Sequence, residues 1–141
     1  MAYVSRGFIP QTSLASNLGF TRPMYIPAGN ATATALYDIV KVSTSGSTVD
    51  TAGVPAGLMG CVRVSDKDDV PCGVIVGFIA DPDYLNQTYR SASTARVALV
   101  NYDPQVVLEA QEDGNGTTLA VARIGTPVDL VPGSIDTVTG T

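Results

Sequence analysis

GVIVGFIADPDYLNQTYRSASTARVALVNYDPQVVLEAQ, residues Gly73 to Gln111, is the densest apolar sequence in the chain and carries its clearest punctuation. Val74, Val76 and Phe78 fall on one side of an extended backbone and Ile75 and Ile79 on the other, a pattern that predicts a strand buried on both faces. Asp81-Pro82-Asp83 ends it, because an Asx side chain accepts a hydrogen bond from the amide two residues on, and proline has no N–H with which to continue a ladder. Strand sequence resumes at Arg96-Val97-Ala98-Leu99-Val100, breaks at Asn101-Tyr102-Asp103-Pro104 and returns from Val106 to Gln111, a spacing that predicts a hairpin. Val76, Phe78, Val97, Leu99 and Val107 are the expected core of these strands. The longer piece between the first two strands, Tyr84 to Thr94, carries Tyr84, Asn86, Gln87, Tyr89 and Arg90, and is the loop richest in binding side chains.

Working outward, the chain of 141 residues is long enough to form one domain that buries roughly two-thirds of its unfolded surface without metals or bridges. Charged residues make up 15% of it, below the ordinary ~25%. Lys and Glu, which coat solvent-facing helices, occur only as Lys41, Lys67, Glu109 and Glu112. The expected fold is therefore all-β. Glycines inside strand sequence, Gly60, Gly73 and Gly77, point to bulges or tight bends by which a sheet curls. The architecture this predicts is a single small β-barrel or jelly-roll-like sandwich with an extended N-terminal arm and at most one short helix.

That arm is residues 1–35, and residues 36–141 are the β domain. Isolated apolar residues mix there with Gly, Pro, Ser and Asn, with no sustained period, and the content of aromatic residues is too high for a solvated tail. The net charge of −5 is unevenly placed: residues 1–37 hold Arg6 and Arg22 and no acid, leaving −7 on the rest. Arg6, Phe8, Ile9, Phe20, Arg22 and Tyr25 are the expected docking side chains of the arm, resting either on its own domain or on a neighbour. In the domain, Leu36–Ser43 and Leu58–Val64 read as strands and Thr44–Pro55 as an exposed loop. Thr117–Gly125 reads as a short helical turn or a strand, and Val128–Val131 as a short strand. Cys61 and Cys72 flank an expected hairpin with Ser65–Asp69 at its tip, and stand there either as a disulfide or as two buried thiols.

Histidine is absent, which removes Ser-His-Asp and Cys-His triads and the commonest metal ligand. Asp66-x-Asp68-Asp69 begins a calcium loop without its distal bidentate carboxylate. Asp81 and Asp83 lack the aromatic groove a glycosidase needs, in a chain with no Trp, three Phe and six Tyr. No catalytic residue, cofactor site or metal site is expected. Three Asn-x-Thr matches, at Asn30, Asn86 and Asn115, read as chance in a Thr-rich chain. An acidic body with a pI near 4.3 repels phosphate backbones, so nucleic acid is not an expected partner. The opening residues lack a signal-peptide pattern and no apolar run approaches ~18 residues, so neither export by signal peptide nor membrane insertion is expected.

The run Gly73–Glu112 resembles tailed-bacteriophage head proteins of the cement or decoration class. The likeness rests on Tyr89-Arg90-Ser91-Ala92-Ser93-Thr94-Ala95-Arg96 with Val97–Asn101, on Asp103-Pro104-Gln105-Val106-Val107 and on Glu109–Asp113. It covers about forty residues and is looser elsewhere. The resemblance implies a β-rich homotrimer, made in the host cytoplasm, that sits on the outer face of an icosahedral head and ties major capsid proteins together, with no catalytic residues. Tyr84, Tyr89 and Arg90 join the arm as expected partner-binding residues. Members of the class continue past the end of this chain, which leaves a final strand missing or supplied by a partner. The competing functions are a carbohydrate- or receptor-binding head or tail module, which needs aromatics gathered in one pocket, and a small enzyme acting through Asp81, Asp83 or another carboxylate.

Overall fold

A computed structural model describes residues 7–14, 20–47, 54–111, 124–128, 130, 133 and 135. Among them there is no helix, and seven strands form two antiparallel sheets in a sandwich-like arrangement. The strands are β1 (Phe8–Ser13), β2 (Thr21–Ile26), β3 (Ile39–Val42), β4 (Cys61–Arg63), β5 (Gly73–Phe78), β6 (Arg96–Asn101) and β7 (Val106–Ala110). The larger sheet has the order β2-β6-β5-β3-β4, and β1 pairs with β7 in the smaller one.

The larger sheet curls until its two outer strands touch. Tyr25 of β2 bridges Gly60, just before β4, and the Tyr25 amide donates to the Met59 carbonyl at 2.9 Å. The contact is one bridge rather than a ladder, so the curl does not close into a barrel. Glycine is required where the backbones crowd. A Cβ on Gly60 would lie 2.0 Å from the Ser45 carbonyl oxygen, and one on Gly73 would lie 2.4 Å from that of Asn101. The third strand glycine, Gly77, marks a bulge, where the β5–β6 register shifts between Ile75 and Gly77.

Inside the curl, Met24 and Ile26, Ala98 and Val100, Val40, Cys61 and Ile75 form the core, each fully buried. Their two-residue spacing along β2 and β6 is the pleat that puts alternate side chains on one face. Burying each of the larger ones is worth about 1.5–3 kcal/mol.

This corrects the expected core. Of Val76, Phe78, Val97, Leu99 and Val107, only Val97 is nearly fully buried; Val76, Phe78 and Leu99 are half-buried, and Val107 is 41% exposed. The bulge at Val76 breaks the alternation that the sequence suggests for β5, so both buried faces end at Ile75. The two expected hairpins are also replaced. β3 lies between β4 and β5, so Cys61 and Cys72 flank β3 rather than a hairpin. Cys61 pairs with Val42, the Cys72 amide donates to Val40, and both thiols are free. After β6 the chain leaves the larger sheet altogether, and β7 pairs with β1. Asp103 holds that corner: its carboxylate accepts from the Gln105 amide at 2.9 Å and from the Ser13 hydroxyl, which ties β1 to the turn.

The described part of the N-terminal segment is no separate arm. Phe8–Ser13 is a strand on β7 and Thr21–Ile26 a strand on β6, because each occupies a sheet edge that otherwise has unpaired N–H and C=O groups. The strand expected from Leu36 starts only at Ile39. Tyr37 sits at φ 66, and the Asp38 carboxylate accepts from the Ala35 amide at 2.8 Å, so Leu36 and Tyr37 form a turn. In the loop expected to be exposed, Ser47 is buried: its hydroxyl donates to Pro55 and accepts from the Leu58 amide. The short helical turn or strand expected at Thr117–Gly125 falls mostly outside the described residues, as do two of the four residues of Val128–Val131; Val128 itself is exposed and irregular. No helix among the described residues is long and apolar enough to cross a membrane.

Candidate interaction surfaces

Two arginines shape the connection from β5 to β6. Arg96 opens β6 with its side chain turned under the loop. Its guanidinium donates to the Tyr89 carbonyl at 2.5 Å and the Gln87 carbonyl at 3.1 Å, makes a long 3.5 Å contact with that of Ile79, and lies 4.9 Å from the centre of the Phe78 ring. Arg90 is completely buried. It donates to Thr94 at 2.7 Å, to Thr32 at 2.6 Å, and to both Pro27 and Asn30 at 2.9 and 2.8 Å, every acceptor a backbone carbonyl. Backbone bonds between Thr34 and Arg90, 2.9 and 2.7 Å, and from Ser93 to Asn30 join the same two loops. Burial lowers the pKa of both guanidiniums, and the acceptors they use are neutral dipoles.

Arg90 is thus a clamp inside the domain and not, as its sequence context suggests, a partner-binding side chain; a fully buried group touches no neighbour. Four of the other expected contact residues divide between the two ends of the larger sheet. Phe20 is 66% exposed and Arg22 is exposed with its guanidinium 5.5 Å from the Tyr102 ring, at the end where Thr21 pairs with Asn101. Tyr84, 56% exposed, and the half-buried Tyr89 lie on the loop before Arg96, which pairs with Ile26 at the opposite end. A six-residue strand separates the ends, roughly 17 Å of backbone. Phe8, Ile9 and Tyr25 are half-buried within β1 and β2, and Arg6 lies outside the described residues. Two residues were missed. Leu85 is 77% exposed beside Tyr84, and Arg96 carries the clamp beneath it; an apolar residue within a polar loop and a cation opening an apolar strand were their signals.

A groove of about 810 Å³ opens between the sheets, lined by Ile39 and Val74 from one and Val106 and Leu108 from the other, with Lys41 and Asp103 at its polar positions. Both polar groups already have partners: Lys41 pairs with Asp69 at 2.5 Å, and Asp103 holds its turn.

Several of the other carboxylates among the described residues serve local structure. Asp81 accepts from the Asp83 amide at 3.0 Å, as the Asx reading expects. Asp69 accepts from the Ser65 and Asp66 amides, and the Lys41 ammonium with these amides pulls its pKa down to about 2. Burial raises the pKa of Asp38, against the Ala35 amide and Arg63, whose Nε is 3.0 Å away but not aimed at the carboxylate. Burial also pushes the Cys61 thiol up to about 12 and raises that of Cys72. The described residues contain no group of three or more acids and cysteines placed to hold a metal.

No protein-family model, curated protein or solved structure matches the chain.

Proposed function

We propose that the chain is a structural virion protein: a cement or decoration protein that binds the outer face of an icosahedral phage head and ties neighbouring major capsid proteins together, as a homotrimer and without catalysis. The observation that carries this reading is the exposure of large apolar side chains at both ends of the curled sheet, Phe20 at one and Tyr84 with Leu85 at the other. Single exposed apolar residues are ordinary, but large ones held on ordered segments at opposite ends suit a protein that touches more than one neighbour. The likeness of Gly73–Glu112 to the decoration class supports the same conclusion from the sequence. Many copies on one shell would multiply modest contacts into high avidity. A carbohydrate-binding module is less well supported, because Tyr84 and Tyr102 lie at opposite ends of the larger sheet instead of lining one pocket.

The test is reconstitution. Purified protein should sediment as a trimer, saturate heads stripped of it at a fixed ratio to the capsid protein, and raise the temperature at which those heads rupture. A monomer that leaves stripped heads bare and no more heat-resistant would contradict the reading.

A further inference from the structure

We infer that the apex of the β5–β6 connection, Tyr84 with Leu85, is a preformed knob that enters an apolar pocket with a basic rim on the capsid protein; this rests on the proposed function. The two side chains are 56% and 77% exposed, while the backbone beneath them is tied at each turn. Asp81 accepts from Asp83 through its side chain and from the Tyr84 amide through its carbonyl, 3.0 and 3.1 Å. The Gln87 amide donates to the Tyr84 carbonyl at 3.1 Å, and the Gln87 side chain donates to the Ser91 hydroxyl at 2.6 Å. Arg96 then fixes Gln87 and Tyr89 from below, and Arg90 fixes Thr94.

An apolar pair on so constrained a backbone loses little conformational entropy when it docks, which is how rigid aromatic anchors dominate interfaces. Charge selects the partner. Residues 81–89 contain Asp81 and Asp83 and no cation, and the loop's own Arg90 is buried. Asp83 is exposed beside the knob, so the complementary rim carries Lys or Arg.

Three proteins are compared for binding to stripped heads by co-sedimentation across a salt series: the parent, Tyr84→Ala/Leu85→Ala, and Asp83→Lys. Because these side chains project from the surface, each variant should keep the parent melting temperature. The double variant should bind at least about tenfold more weakly, the loss expected of a central anchor. Asp83→Lys should weaken binding at low salt and lessen its dependence on salt. A folded double variant with parental affinity overturns the knob and leaves the cement reading standing. Weakened binding by the double variant with Asp83→Lys unchanged at every salt overturns the basic rim. A parent that fails to bind heads at all overturns both readings together.

Discussion

Replacing Arg90 tests whether the loops at one end of the sheet are held by a single buried cation. Arg90→Ala removes donors to four carbonyls, Pro27, Asn30, Thr32 and Thr94. Thr32 is exposed and rehydrates, while the other three residues are half-buried. Pro27 and Asn30 keep backbone bonds from the Asn30 and Ser93 amides, so the loss is about 0.5–1.5 kcal/mol for each of these bonds and about 1–3 kcal/mol for the Thr94 carbonyl left unpaired, about 3 kcal/mol together and a large share of the stability of any domain this size. Arg90→Lys controls for charge and much of the volume. A single ammonium cannot span acceptors drawn from two separate loops as a guanidinium fork does, so most of the loss should remain. Guanidinium denaturation would read the global effect at constant m-value, and hydrogen exchange at the Thr34, Arg90 and Ser93 amides would show whether the loops open first. If both variants unfold within about 0.5 kcal/mol of the parent, with those amides still protected, the clamp does not hold the loops.

The core assignment separates two residues that the sequence treats alike: Ile75→Ala should cost about 2–5 kcal/mol and Val107→Ala under about 1 kcal/mol, by chemical denaturation, and equal losses would show that the faces are misassigned. Gly60→Ala should destabilise by about 1–3 kcal/mol or more, because its Cβ meets the Ser45 carbonyl, whereas Gly29→Ala, with nothing within 4 Å, should be near neutral in thermal melts. Asp69 has a folded pKa depressed to about 2, so its contribution is present above the unfolded carboxylate value near 3.8 and is lost as pH falls from there through 2. Asp69→Asn should therefore be less stable than the parent at pH 7 and should flatten the acid limb of stability against pH; an identical acid limb would count against the Lys41 pairing. Cys61, buried with its pKa near 12, should react with a thiol reagent at pH 8 far more slowly than half-buried Cys72, as peptide mapping of the labelled native protein would show.

The all-β character was legible in the scarcity of Lys and Glu, and the ends of β5 and β6 in Asp81-Pro82-Asp83 and Asn101-Tyr102-Asp103-Pro104. Local chemistry carried over because it depends on neighbours in sequence: the Asp81 side chain accepts the amide two residues on, and Gly77 borders a bulge. Strand partners did not carry over, because pairing is decided by which edges remain open in space. Val106–Ala110 follows β6 at hairpin distance yet pairs with Phe8–Ser13, nearly a hundred residues away. For the same reason Phe8, Ile9 and Tyr25, apolar with no regular period, read as a docking arm when they lie in strands on β7 and β6. Arg90 misled in a different way. A cation in a polar loop resembles a surface contact, and only the convergence of four carbonyls from two loops shows that it belongs inside.

The central claim, that this chain cements capsid subunits from outside, is tested most directly by electron cryomicroscopy of the phage heads before and after the protein is stripped and added back. The account expects density on the outer face that vanishes on stripping and returns on addition, with the Tyr84–Leu85 end seated on one capsid subunit and the same trimer touching another. Density confined to the tail or the head interior, or no returning density at a saturating concentration, would contradict it.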